Sequence, residues 1–241
     1  MKKIPDKEID MILCDLPYGV TSRNKWDSQL SLPDLWRQYK RIIKDNGVII
    51  LFAQGMFTAK LMMSNLEMWR YNLIWEKTQP TGFLNAKRMP LRNHEDICVF
   101  YGKLPVYNPQ KTDGHIRKVS TAKHKRNCKE TTDYRKHNFV SYDSTQRYPL
   151  SVITFSKDTQ KESLHPTQKP VALCEYLIKT YTNEGDLVLD NCMGSGTTGV
   201  ACLNANRNFI GIELDENYYN IAKNRTDDYY KTMQNNNKNS H

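Results

Sequence analysis

Two short stretches carry residues whose types and spacing suit chemistry. Asp15-Leu16-Pro17-Tyr18-Gly19 follows an apolar run, Ile9 to Cys14, that reads as a buried strand. It therefore lies at a strand's carboxyl end, where open α/β sheets build their sites. The residue types suit an amine attached to an aromatic ring, whose nitrogen is a poor nucleophile because its lone pair is delocalised. Fixed acceptors for both N–H groups improve it, and Asp15 and the Leu16 carbonyl can supply one each, an effect worth several kcal/mol in a water-poor site. Tyr18 offers a flat face to a ring taken out of its stack, and Pro17 fixes the backbone. The same five residues also make a good turn with no chemistry attached.

The second stretch is Asp190-Asn191-Cys192-Met193-Gly194-Ser195-Gly196-Thr197-Thr198-Gly199, between a strand and a helix. Gly194, Gly196 and Gly199 match GxGxxG, and Glu213 ends the next strand, where a carboxylate can accept from two ribose hydroxyls. A purely structural glycine turn is the bland alternative. A dinucleotide loop brings its first glycine directly to the strand end so that a pyrophosphate reaches the helix N-terminus. Here Asp190 stands first. A carboxylate there repels a pyrophosphate but pairs with an ammonium, which favours a cofactor with a methionine moiety over NAD.

These loops must be positioned by a sheet. Ile9 to Cys14, Gly47 to Ala53, Tyr71 to Lys77, Asp96 to Tyr101, Leu187 to Asp190 and Asn208 to Leu214 read as strands. Helices are expected over Leu32 to Lys44, closed by an Asn46-Gly47 C-cap, and over Met56 to Leu66, Val171 to Thr182, Thr197 to Ala205 and Glu216 to Arg225. The alternation predicts an α/β fold, a mostly parallel sheet with helices on both faces. Residues 105–160, Thr/Lys/Asn-rich with a few apolar residues near Ser151 to Phe155, read as an insertion. Residues 1–104 and 161–228 then form two halves of one core, and 229–241, Asn-rich, reads as a disordered tail.

Composition narrows the partners. The 241 residues carry a formal charge of +9. Lys111 to Lys136 holds nine Lys or Arg against three acidic residues, so most of the excess sits in one stretch. That fits a polyanion surface, and fits equally a solvated basic loop. Six scattered cysteines show no zinc spacing, so no metal is expected. With no apolar run near the ~18 residues of a membrane span, and no signal-peptide pattern, the chain reads as soluble and cytoplasmic.

Taken together, the motifs resemble those of the DNA amino-methyltransferases, in the permuted β-group order in which an Asp-Pro-Pro-Tyr tetrapeptide precedes the cofactor loop Asp-Pro-Phe-x-Gly-Ser-Gly-Thr-Thr. Here they read Asp15-Leu16-Pro17-Tyr18 and Asp190 to Thr198, and His165-Pro166-Thr167-Gln168-Lys169-Pro170 is similar to a third family segment. The resemblance implies a Rossmann-like methyltransferase fold with S-adenosylmethionine as cofactor. It implies that Asp15, Leu16, Pro17 and Tyr18 hold a flipped base, that Thr167, Asp190, Gly194, Ser195, Gly196 and Thr197 line the cofactor, and that Glu213 takes its ribose. The resemblance further implies that methyl passes in line to nitrogen with no enzyme-bound intermediate, so Cys14 is expected to be a small core residue. Leu16 stands for the family's proline and Cys192 for its phenylalanine. The chain starts at Met1-Lys2-Lys3, where family members usually carry a further strand and helix.

Aspartate at the first tetrapeptide position implies adenine N6 in double-stranded DNA, and serine there is usual for cytosine N4. N4-cytosine methylation and a truncated DNA-binding relative with weak or no activity are the alternatives. The basic insertion falls at the family's target-recognition region, with Lys118, Lys123, Lys125 and Arg126 as expected phosphate contacts. A homodimer and a cognate restriction endonuclease are the further partners the resemblance suggests.

Overall fold

A computed structural model describes residues 1–18, 30–121, 141–156 and 168–238. Seven strands form one sheet: β1 (Ile9–Asp15), β2 (Ile43–Ala53), β3 (Trp69–Thr81), β4 (Arg92–Phe100), β7 (Val152–Phe155), β8 (Leu187–Asp190) and β9 (Asn208–Gly211). Their spatial order is β7-β3-β4-β2-β1-β8-β9, and β4 alone runs against its neighbours. The sheet is thus mostly parallel, as the alternating pattern predicts. β1 is buried along nearly its whole length, as a parallel strand covered on both faces must be.

Alternate residues of β1 and β2 feed two apolar layers. Ile12, Cys14, Ile49 and Leu51 pack with α1 (Leu32–Ile42) and α2 (Met56–Met63). Met11, Leu13, Ile50 and Phe52 pack with α3 (Val171–Tyr181) and α4 (Thr197–Asn204) on the other face. Helix α1 buries Leu32, Leu35, Trp36, Tyr39 and Ile42, a single stripe at helical spacing. Asp34 in its first turn and Lys40 and Arg41 in its last complement the helix dipole.

Four expectations are corrected here. Helix α1 stops at Ile42 and passes straight into β2, so Asn46-Gly47 is not its C-cap. The pairing jumps from Ile9↔Ile43 to Met11↔Val48, and Gly47 sits in this bulge. A Cβ there would meet the Ile43 side chain at 2.8 Å and the Asp10 carbonyl at 2.9 Å, so close approach explains the glycine. Val152–Phe155 belongs to the main sheet, parallel to β3, with Ile153 buried and the Trp75 indole donating to the Phe155 carbonyl at 3.0 Å. So short an apolar run reveals its pairing only when β3 is beside it. The expected boundaries at 104 and 160 also shift, since the compact units are 1–108 with 151–241, and Pro109–Leu150. Finally α5 (Glu216–Lys238) continues through most of the expected tail. No Pro or Gly follows Gly211 to stop it, and Lys231 pairs with Asp228 across one turn.

The smaller unit carries the hairpin β5 (Lys118–Ser120) and β6 (Tyr142–Ser144), tied by an Arg117–Asp143 ion pair, and Lys118 is exposed on it. Lys123, Lys125 and Arg126 lie outside the described residues. No described helix is long and apolar enough to cross a membrane.

Candidate active site

β1 and β8 are parallel neighbours, with Met11 level with Val188 and Ile12 with Leu189. Their carboxyl ends, Asp15 and Asp190, therefore open onto the same edge. Between them lies a cavity of about 490 Å³, lined among others by Asp15, Leu16, Pro17, Asp190, Ser195 and Glu213. Gly194 and Thr197 also line it.

The loop after β8 is built around Asp190. Thr198 Oγ1 donates to one carboxylate oxygen at 2.7 Å and the Cys192 N–H to the other at 3.0 Å. Burial pushes this carboxyl up to about 6, against the lowering effect of those hydrogen bonds. Gly196 is left-handed (φ 80°) just before α4, and a Cβ there would lie 3.0 Å from Ala222 of α5. Gly196 thus brings loop and helix together but is not itself a lining residue. Glu213 accepts from the N–H groups of Gly194 (2.9 Å), Leu214 (2.8 Å) and Asp215 (3.0 Å), which fixes its carboxylate at the rim. Oε1 takes two of these bonds and Oε2 one, so Oε2 retains acceptor capacity for a hydroxyl.

The Asp15 carboxylate is held from two sides. Tyr18 Oη donates to Oδ1 at 2.8 Å, and Lys169 Nζ to Oδ2 at 2.6 Å. Burial first, then the charge of Asp15, pushes the Tyr18 phenol up, so it remains a donor at neutral pH. The Tyr18 ring stacks on Phe57 with centroids 4.9 Å apart, and Leu16 is buried. Cys14 is core, as expected, its thiol pushed up by burial.

Lys169 extends the arrangement into a line of alternating charge. Its Nζ lies 3.1 Å from Glu95 Oε2, a charge contact not aligned as a hydrogen bond, and Lys77 Nζ lies 2.5 Å from Glu95 Oε1. Burial works against the Lys169 charge, but Asp15 and Glu95 outweigh it and hold the ammonium above its ordinary range. Burial likewise penalises Glu95, and Lys169 and Lys77 outweigh that, keeping its carboxyl low. Beside this line, Gln168 lines the cavity and bonds Ser195 Oγ at 3.1 Å through its oxygen, while its buried Nε2 has no partner among the described residues.

Of the residues expected at the site, Asp15, Leu16, Pro17, Asp190, Gly194, Ser195, Thr197 and Glu213 line this cavity, Tyr18 and Gly196 do not, and Thr167 lies outside the described residues. Sequence reasoning gave no role to Gln168, Lys169, Glu95 or Lys77. Gln168 and Lys169 stood inside a recognised segment. Glu95 and Lys77 carry no local signal, because only the β3–β4 pairing carries them to Asp15's neighbour. Among the described residues no cluster suits a metal ion.

The fold and cavity define an α/β protein with a cavity that runs from the β8 end, its glycine loop and the helix after it to the neighbouring β1 end. Residues 9–224 match the DNA methylase family model, and the chain belongs to that family. It is 30% identical to the type II methyltransferase M.HpaI of Haemophilus parainfluenzae, over 94% of this chain and 71% of that protein. It is 28% identical to the type II methyltransferase M.HinfI of Haemophilus influenzae over 93% of this chain, and spans 65% of that protein's length. With the DNA adenine methyltransferase YhdJ of Escherichia coli it shares 27% over 94% of this chain and 79% of the relative. The crystal structure of the M1.HpyAVI–SAM complex superposes with a TM-score of 0.59 at 27% identity, covering 90% of this chain and 89% of that one. The cytosine-N4-specific PvuII DNA methyltransferase has the same fold, with a TM-score of 0.65 at 13% identity over 97% of this chain and 88% of that one.

S-adenosylmethionine is the cofactor, and the residues fit it. The orphaned Gln168 Nε2 offers a donor to a carboxylate, Asp190 a carboxylate to an ammonium, and Glu213 Oε2 an acceptor to a ribose hydroxyl. When bound, the group supplies an electrophilic methyl on sulfonium.

Proposed function

We propose that the protein methylates adenine N6 in double-stranded DNA, with the target base extruded into the Asp15 side of the cavity. The observation that carries this reading is the Asp15 carboxylate, clamped by Tyr18 and Lys169 on the same edge as Asp190. So fixed, it accepts an N–H of the exocyclic amine with little reorganisation, and the Leu16 carbonyl accepts the other. Aspartate at this position and the named specificity of YhdJ both favour adenine over the N4-cytosine alternative. Asp190 and Gln168 take the two ends of the methionine moiety, with Thr167, Gly194, Ser195, Gly196 and Thr197 shaping their surroundings. Glu213 takes the ribose.

The smaller unit, with Lys118, Lys123, Lys125 and Arg126, serves as the target-recognition region and contacts phosphates. Removing the last three charges should weaken DNA binding and flatten its salt dependence. Action in the cytoplasm, a homodimer and a partner endonuclease complete the reading, the last resting on the type II names of two relatives.

The test is transfer of labelled methyl to unmethylated duplex DNA, followed by digestion and identification of the modified nucleoside. N6-methyl-2′-deoxyadenosine that disappears in Asp15→Ala, while DNA binding survives, supports the proposal. N4-methylcytosine, or no product at saturating cofactor, rejects it.

A further inference from the structure

Beyond the catalytic edge the β3–β4 pair projects as a finger. Asp15 is level with Phe52, and Phe52 with Ile97. β4 begins five residues further out, at Arg92, so at ~3.4 Å per residue the pair extends roughly 17 Å past Asp15. β4 lies two strands from β1, about 10 Å to the side.

The tip is structured. Gly82 is left-handed (φ 90°), a single 3-10 turn spans Phe83–Asn85, and Arg88 N–H closes on the Asn85 carbonyl at 2.8 Å. At the base, Gln54 accepts from Arg92 and donates to the His94 carbonyl, both at 3.3 Å. This ordered tip presents apolar side chains to solvent: Phe83 is 80% exposed, Leu84 96% and Met89 56%. Lys87, Arg88 and Arg92 are exposed around them, and the chain has no acidic residue between Glu76 and Glu95. An apolar point ringed by cations matches a duplex, whose base steps accept apolar wedges and whose phosphates flank them.

We infer that the tip at 82–91 is a DNA wedge: Phe83 and Leu84 press between base steps beside the target, and Lys87, Arg88 and Arg92 hold the adjacent phosphates. The wedge lowers the cost of unstacking the target base, so this inference rests on the extrusion reading above.

The experiment uses the full chain with Phe83→Ser/Leu84→Ser, two exposed positions whose replacement leaves the core intact. Unmethylated genomic DNA locates the methylated sequence. Oligonucleotide duplexes carrying that sequence then present the target base either paired or opposite an abasic site. The double variant should lose at least tenfold in kcat/KM on the paired duplex, and come within about threefold of the parent on the abasic one, with cofactor affinity unchanged. Separately, Lys87→Ala/Arg88→Ala/Arg92→Ala should reduce the slope of log affinity against log salt by about two to three.

Parent-like rates on paired DNA overturn the wedge, as does an equal loss on both duplexes. A shift from dimer to monomer in sedimentation, with an unchanged salt slope in the triple variant, would assign the tip to a second copy of the chain. If the parent protein transfers no methyl to any DNA, the proposed function fails. The salt-slope measurement still decides whether the tip touches DNA.

Discussion

Replacing Lys169 by Met should be among the most damaging single changes near the cavity, and its cost can be worked from the charge line. Lys169 and Glu95 are nearly buried, with side chains 10% and 12% exposed, and Asp15 is 27% exposed. Removing one partner from such a set leaves carboxylates short of a counter-charge, at about 3–5 kcal/mol. Glu95 keeps Lys77 and Asp15 keeps some solvent, so the lower end, about 3 kcal/mol, is expected. For a chain of this size that lowers the melting temperature by roughly 6–12 °C. The loss should depend on pH. In the parent, Glu95 is held low, so its contribution is present above the ordinary carboxyl range and is lost as pH falls through the folded value. In the variant, burial is less opposed and Glu95 takes up a proton more readily, so the gap between the two proteins narrows below about pH 5. Lys169→Met combined with Asp15→Asn removes one charge of each sign and leaves the Lys77–Glu95 pair intact. It should recover most of the stability at pH 7. Urea unfolding of the three proteins at pH 7 and pH 5 gives the answer. A single-variant loss under about 1 kcal/mol, or no recovery in the double variant, would refute the account of the charge line.

Cofactor binding should follow the ionisation of Asp190. With its carboxyl pushed up to about 6 by burial, affinity should be flat from pH 8 to 7, and roughly tenfold weaker at pH 5 than at pH 7. Calorimetry reads this directly, Asp190→Asn should abolish the dependence, and constant affinity down to pH 5 would separate the ammonium from this carboxylate. Gln168→Leu should weaken the cofactor ten- to a hundredfold by removing the proposed donor to a charged group, measured by the same titration, with DNA affinity unaltered. Gly196→Ala should destabilise the protein by about 2 kcal/mol or more, from its left-handed backbone and the contact with Ala222. Urea unfolding without that loss would mean that α5 yields at no cost.

How far the sequence carries can be judged from particular residues. Buried strands announce themselves as apolar runs, so Ile9 to Cys14 and Leu187 to Asp190 were legible, and with them the placement of Asp15 and Asp190 at strand ends. The glycine loop was legible because Gly194 and Gly196 stand at a spacing the turn requires. By contrast the Asn46-Gly47 cap was misread, since a glycine that ends a helix and one that lets a bulge pass close to Asp10 look alike in one dimension. The edge strand Val152–Phe155 was too short to show a period.

The Asp15 carboxylate shows the division most plainly. Its residue type and its place after a strand are local properties, and local chemistry determined them. What surrounds it is not local: Lys169 arrives from 154 positions away, and Glu95 on an antiparallel strand that borders β2. A charge can be buried only where opposite charges converge on it, and strand pairing across the sheet decided which ones do.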